Sequence, residues 1–205
     1  MGKILKLGIV LFIITAVTGL LLGGVYTITL EPIKIAKGNE KNEAMTQTLP
    51  DATAFESVPV AADTDIVTAI NKGTAGGETV GWNYTVEPKG YGGLIEIIVG
   101  VSKDGRLQAI KILSHSETPG LGAKAAEEPF IGQFRGKQTE ALSITQSDTV
   151  AQNEIQAISG ATITSGAVVQ GVNAALAYFG EHQYESERQS ETPAGTGYAG
   201  ELPKN

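Results

Sequence analysis

A long apolar run dominates the start of the chain. Lys3 and Lys6 are followed by a stretch without charged residues from Leu7 to Leu30. Because a helix rises about 1.5 Å per residue, this stretch can cross a hydrocarbon core of roughly 30 Å. A cleaved signal peptide is the alternative, but the run is too long for a typical signal core and no small-x-small cleavage site follows it. The pattern predicts a transmembrane anchor over residues 1–30.

Positive charges lie on both sides of this anchor. Lys3 and Lys6 precede it, and Lys34, Lys37 and Lys41 follow it. The positive-inside comparison is therefore close to balanced, although a long domain is often translocated regardless of charge. We expect a single-pass protein of the cytoplasmic membrane, with its N-terminus in the cytoplasm and its domain on the extracytoplasmic side.

Residues 31–64 are mixed and polar, which predicts a membrane-proximal linker made of a short exposed helix and then a loop. Beyond it, apolar and polar positions alternate with a period of two, as in β-strands. The predicted strands are 65–70, 80–86, 94–101 and 107–113, with turns at 72–77 and 103–105. The Asp-Gly pair in the second turn favours a hairpin between the last two strands.

The pattern then becomes helical. Residues 123–134 predict one or two short helices broken near Pro129, and Ile144 and Val150 predict a short extended segment. One apolar face predicts a helix that ends near Gly180; it comprises Val168, Val172, Ala175, Leu176 and Phe179. Residues 181–205 are polar and predict a disordered tail. The order of elements predicts an α+β domain over 65–180, an antiparallel sheet with flanking helices.

Composition excludes several classes of function. The chain has no Cys and only two His, so a disulfide framework and an iron–sulfur cluster on its own thiolates are excluded, and a zinc site is disfavoured. A net charge of −7 argues against nucleic acid as a partner. If the protein carries electrons, it must do so through an organic cofactor.

Two segments have side chains suited to binding. The first, His115–Lys124, joins a strand to a helix, and its Gly120 and Gly122 let a flat ligand approach the backbone. The second, Ser159–Ser165, precedes the long helix, where backbone N–H groups suit a phosphate. On composition alone, an ordinary loop is the favoured interpretation of the first, and plain N-capping by Thr164 or Ser165 is the favoured interpretation of the second. Local chemistry alone does not predict modification of a threonine.

The two segments are nevertheless specific when taken together. The runs KGYGGLIEIIVGV, SHSETPGLGAK and ISGATITSGAV occur in this order. They resemble the FMN-binding domain shared by the G subunit of the Rnf electron transport complex and the C subunit of the sodium-translocating NADH:quinone reductase. With the anchor, the resemblance covers residues 1 to about 180.

The resemblance implies a covalent cofactor. In the family, FMN is joined through its phosphate to the threonine of the SGAT motif by a separate flavin transferase, which places the attachment at Thr162 as a tether and not as a catalytic base. It also implies cofactor contacts at Glu117, Thr118, Gly120, Leu121, Gly122, Ser159, Gly160 and Ala161. The family often has Asp six residues before the modified threonine, whereas this chain has Gln156, with Glu154 nearby.

The short chain resembles the Rnf protein more than the quinone-reductase protein. The implied function is an electron-carrying flavoprotein subunit of a membrane-bound, ion-translocating ferredoxin:NAD oxidoreductase, active only with the other Rnf subunits. Alternatives are the C subunit of the quinone reductase, a flavin-free extracytoplasmic binding module, and a self-sufficient flavin reductase. The last is disfavoured because no second cofactor motif is present.

Overall fold

The computed structural model describes residues 2–60, 65–138, 140–147 and 149–191. Three α-helices and seven strands are assigned in this part of the chain. They are α1 (Gly2–Thr48), β1 (Ala54–Val58), β2 (Val67–Ala75), β3 (Glu78–Val86), β4 (Glu96–Ser102), β5 (Leu107–Ser114), α2 (Glu128–Ile131), β6 (Ser143–Thr145), β7 (Glu154–Gln156) and α3 (Thr162–Glu191). Residue contacts divide the chain into a helical unit, 1–43, and a compact unit that begins at Ala44.

Helix α1 contains the predicted anchor and continues beyond it. It passes through Pro32 and ends at Thr48. Among the described residues it is the one helix long and apolar enough to cross a membrane, and the side chains of its apolar stretch are not buried by the rest of the protein. This is consistent with a single-pass membrane protein.

The structure of the range 31–64 differs from the predicted short helix and loop. This range contains the end of α1 and all of β1.

Strands β1 to β5 form one antiparallel sheet in chain order. The predicted hairpin of β4 and β5 is confirmed, with Val99 opposite Ile110 and a turn at Asp104 and Gly105. Strand β2 extends further than predicted, to Ala75, and β1 was missed. The α+β prediction, an antiparallel sheet with flanking helices, is confirmed.

Residues 44–52 pack against one face of the sheet. Glycines replace side chains where this segment crosses: a Cβ on Gly73 would overlap Leu49, and a Cβ on Gly100 would overlap the carbonyl oxygen of Thr48. The side chain of Asn83 ties the segment down, because its Nδ2 donates to the Met45 carbonyl at 3.0 Å and its Oδ1 accepts from Thr48 Oγ1 at 2.8 Å. Residues before the predicted domain thus complete its fold.

Helix α3 covers the opposite face. Its five predicted core positions, Val168, Val172, Ala175, Leu176 and Phe179, are all buried. Trp82 meets Phe179 edge-on at 5.6 Å between ring centroids, and Tyr84 meets Tyr178 at 5.9 Å. The helix does not end near Gly180 but continues to Glu191. The rest of the tail predicted over 181–205 lies outside the described residues.

Between β5 and α3 the chain has short elements. The predicted break falls at Glu127, between a 3-10 turn at Gly122–Ala126 and α2. Pro129 lies in the first turn of α2, where a backbone N–H has no helical acceptor, so its missing N–H costs no hydrogen bond. Strands β6 and β7 pair in parallel, with Ile144 opposite Ile155. Val150 lies outside both strands.

Candidate flavin site

A cavity opens between the loop after β5 and the first turn of α3. Its volume is about 540 Å³, within the 300–1,000 Å³ common for ligand sites. Seven predicted site residues line it: Glu117, Thr118, Leu121, Gly122, Gly160, Ala161 and Thr162. Gly120 and Ser159 are not among the lining residues, although both belong to the loops that form the cavity.

Three further lining residues were missed from the sequence. They are Tyr91, Ile163 and Thr164. Tyr91 is 72% exposed and Ile163 is 61% exposed, so both side chains are open to solvent beside the cavity. Tyr91 stands within the KGYGG run, so its position in a motif was the available signal. Its closeness to the other two segments depends on the fold.

One wall of the cavity carries Thr162, the predicted attachment residue, and is called the attachment side; it comprises residues 157–165, which are the loop before α3 and its first turn. Thr162 is the first helical residue and its side chain is exposed. The N–H of Ser165 donates to the Ala161 carbonyl at 3.0 Å, so the N–H groups of Thr162, Ile163 and Thr164 precede the helical ladder. Among the hydrogen bonds of the described residues, none takes up these three donors.

The predicted N-caps are wrong. Thr164 and Ser165 both lie inside the first turn rather than before it. Ser165 instead braces the turn, since its Oγ donates to the Ala161 carbonyl at 2.9 Å and accepts from the N–H of Ile158 at 3.0 Å. Gly160 has φ +76°, a backbone conformation that favours glycine and permits the sharp turn into the helix. The SGAT segment is thereby held as a turn in which Ala161 is buried and Thr162 is exposed.

The opposite wall, residues 115–122, is the loop side. Glu117 is buried, with 6% of its surface exposed. Its Oε2 accepts from Thr164 Oγ1 at 2.7 Å and its Oε1 accepts from the N–H of Gly92 at 2.9 Å. The carboxylate therefore joins the attachment side, the loop side and the loop before β4.

Glycines make room for this carboxylate. A Cβ on Gly122 would lie 2.6 Å from Glu117 Oε2 and 2.8 Å from Thr164 Oγ1. A Cβ on Gly90 would overlap Glu117 Oε1. Gly122 and Gly90 thus pack against the glutamate, and Gly122 also lines the cavity.

A second cavity, of about 580 Å³, lies beside β7 and has different chemistry. Gln156 and Glu154, the residues near the family's usual Asp position, line this second cavity and not the first. The Gln133 amide pairs with the backbone of Gln156, accepting at 2.7 Å and donating at 3.3 Å, and burial lowers the pKa of Lys137 nearby. In the described part of the chain no cluster of metal-ligating side chains occurs.

The sequence comparisons agree with this geometry. A profile of the FMN-binding domain matches residues 90–177, which include every residue lining the first cavity. The G subunit of a proton-translocating ferredoxin:NAD(+) oxidoreductase complex from Clostridium ljungdahlii is 39% identical over 161 residues, covering 78% of this chain and 83% of that protein. The chain belongs to the family of these G subunits.

Other relatives in this family support the assignment. The G subunit of a Na(+)-translocating ferredoxin:NAD(+) oxidoreductase complex from Acetobacterium woodii is 35% identical over 187 residues, covering 84% of this chain and 90% of that protein. Among solved structures, the C subunit of the Na(+)-translocating NADH-quinone reductase from Parabacteroides distasonis has a TM-score of 0.56 at 17% identity and covers 71% of this chain and 93% of that chain. That likeness concerns the fold alone.

The residues of the first cavity fit an FMN. Three N–H groups at the start of α3 suit a phosphate, which the positive end of the helix dipole also favours. The apolar side chains of Leu121 and Ile163 suit an isoalloxazine ring. The second cavity is lined by no residue of α3, and Pro129, in the first turn of the four-residue helix α2, has no N–H to offer a phosphate.

Proposed function

We propose that this chain is the electron-carrying flavoprotein subunit of a membrane-bound, ion-translocating ferredoxin:NAD oxidoreductase. Its cavity holds one FMN, joined by a phosphoester to Thr162 Oγ1. The observation that carries the proposal is the exposed Thr162 hydroxyl at the start of α3, on the wall of a cavity inside the FMN-binding segment. The relatives named above support the complex.

The chain's own residues then have separate tasks. The N–H groups of the first turn of α3 hold the phosphate, while Ser165 keeps the turn rigid. Leu121, Ile163 and Thr118 bound the ring, and Glu117 holds the walls together. Gly120 and Ser159 shape the two loops. When bound, FMN supplies the electron transfer.

The proposal extends to maturation and topology. A flavin transferase moves the FMN unit of FAD to the Thr162 hydroxyl, forming the Thr162 Oγ1–P bond as the bond to AMP breaks and AMP leaves. This requires Thr162 to be reachable, and its side chain is exposed. Helix α1 anchors the chain in the cytoplasmic membrane, with the N-terminus inside and the flavin domain outside, because long domains cross regardless of flanking charge. The other subunits of the complex are its electron partners, and it acts in the translocase only together with them.

The attachment is tested by fluorescence after denaturation. The full chain, expressed with a flavin transferase, should give a fluorescent band on a denaturing gel. Its intact mass should exceed the mass of the sequence by the mass of FMN less one water. Thr162→Ala should abolish both signals. Thr149→Ala is the matched control, because it makes the same change at an exposed threonine outside the cavity and should retain the covalent flavin.

The outcomes separate three cases. A dark band from wild type made with an active transferase contradicts the covalent bond. Yellow native protein with a dark denatured band would place FMN in the cavity without a tether. Wild type that is colourless under both conditions contradicts flavin binding altogether.

Sidedness needs a separate measurement. Protease added to intact cells that lack an outer barrier should digest the domain and leave the anchor. Protection of the domain in intact cells, with digestion after lysis, would place the flavin on the cytoplasmic side.

A further inference from the structure

Glu117 is an unusual residue for the wall of a cavity. It is a buried carboxylate, and the ion pairs found among the described residues do not include it. Its hydrogen bonds come from a hydroxyl and a backbone N–H, both uncharged donors. Burying a carboxylate without a cation is costly, so a neutral side chain would make a more stable wall.

Helix capping does not account for this residue. A capping carboxylate accepts from the N–H groups of the first turn. Glu117 instead accepts from the side chain of Thr164 and from Gly92, so the N–H groups of α3 stay available. The carboxylate also lines the cavity together with Thr164 and Thr162.

We propose that Glu117 presents a fixed negative charge to the bound flavin, with Thr164 as its positioning residue, and that this charge lowers the flavin's midpoint potential. The inference rests on the proposed function, because it requires FMN in this cavity. Reduction adds electrons to the flavin, and a nearby fixed negative charge in a poorly solvated wall opposes that gain. The site then favours passing electrons onward over retaining them.

The geometry allows the charge to be removed without removing the hydrogen bonds. In Glu117→Gln, the amide oxygen can accept from Gly92, and the amide nitrogen can donate to the Thr164 hydroxyl, which both donates and accepts. Glu127→Gln is the matched control, since Glu127 is exposed, lies outside the cavity and makes no side-chain cap to α2.

The test is a redox titration of the bound flavin, followed by its absorbance, on the full chain in detergent after expression with a flavin transferase. Glu117→Gln should shift the ratio of reduced to oxidised flavin at a fixed potential at least tenfold towards reduced, which is about 30 mV for a two-electron couple. Glu127→Gln should shift it less than twofold. A loaded Glu117→Gln protein that titrates like wild type overturns the inference and leaves the proposed function intact.

Thr164 is tested in the same assay. Thr164→Val removes the donor to Glu117 and should shift the ratio in the same direction, by less than Glu117→Gln, while Thr164→Ser should titrate like wild type. Combined with Glu117→Gln, Thr164→Val should add no further shift, because no charge is left to position. An additive shift contradicts the positioning role.

Two further outcomes are decisive. If Glu117→Gln does not fold, judged by circular dichroism, the comparison of Thr164→Val with Thr164→Ser decides, and identical titrations overturn the inference. If wild type made with an active transferase binds no flavin, the proposed function fails and the inference fails with it.

Discussion

The two walls of the cavity are built differently. The attachment side exposes Thr162 and is held by backbone and hydroxyl bonds centred on Ser165. The loop side buries Glu117 and packs it against Gly122. A side chain that an enzyme must modify has to be reachable, whereas a charge acts most strongly where water is excluded. We therefore expect the attachment side to decide whether the flavin is held, and the loop side to set its midpoint potential.

The largest expected effect comes from crowding the loop side. Gly122→Ala places a methyl group within 3.0 Å of Glu117 and Thr164, which should separate the pair and lower the free energy of unfolding by about 3 kcal/mol. Covalent flavin should nevertheless remain on Thr162. Urea unfolding of the full chain in detergent and fluorescence of the denatured protein measure the two properties.

Gly180→Ala is the control for Gly122→Ala. Gly180 lies in α3 with open space where its Cβ would be, so the same change should stabilise the protein by up to about 1 kcal/mol. Equal stability of the two variants would contradict the packing role of Gly122. Loss of covalent flavin in a folded Gly122→Ala protein would contradict the division between the walls.

A smaller effect is expected on the attachment side. Ser165→Ala leaves the N–H of Ile158 without its acceptor, which should cost about 1.5 kcal/mol of stability. Because the turn loosens while Thr162 is intact, the fraction of chains that carry flavin should fall. Intact mass gives that fraction, and Ser57→Ala, an exposed serine of β1, serves as the control. Full loading in a destabilised Ser165→Ala protein would show that attachment does not need the rigid turn.

The smallest effect lies outside both walls, where Tyr84 of β3 meets Tyr178 of α3. Burial raises the pKa of the Tyr84 hydroxyl, and the nearby Tyr178 adds to the shift. Above pH 10 the unfolded chain loses this proton while the folded chain keeps it, so the free energy of unfolding falls as pH rises, by about 0.8 kcal/mol at pH 10.5. Tyr84→Phe should remove this part of the loss. Parallel stability curves for wild type and Tyr84→Phe between pH 9 and 10.5 would contradict it.

The sheet and the face of α3 were predictable because their patterns are local. Alternation along β4 and β5 and the spacing of Val168, Val172 and Leu176 follow directly from strand and helix periods. Strand β1 escaped because it alternates only weakly and none of its residues is fully buried. Gly73 and Gly100, which leave room for residues 44–52 on the sheet, follow no periodic pattern in the sequence.

The site was predictable in part. Resemblance pointed to two segments, and seven of their residues line one cavity. The role of Thr164 escaped, since a hydroxyl near a helix start predicts a cap, whereas its partner Glu117 is distant in sequence. The proximity of Tyr91 escaped for the same reason.

The sequence by itself determined the anchor, the class of fold and the absence of cysteine ligands, because hydropathy, period and composition are properties of single segments. It did not determine which threonine stands at the start of α3, because capping predicted Thr164 or Ser165 before the helix, whereas Thr162 is the first helical residue. Only the tertiary structure decided that Glu117 would be buried, that Thr164 and Gly92 would hold it, and that Gly122 would leave it room. Those contacts join residues far apart in the chain, and burial, which decides what a charge does, is a property of the packed chain as a whole.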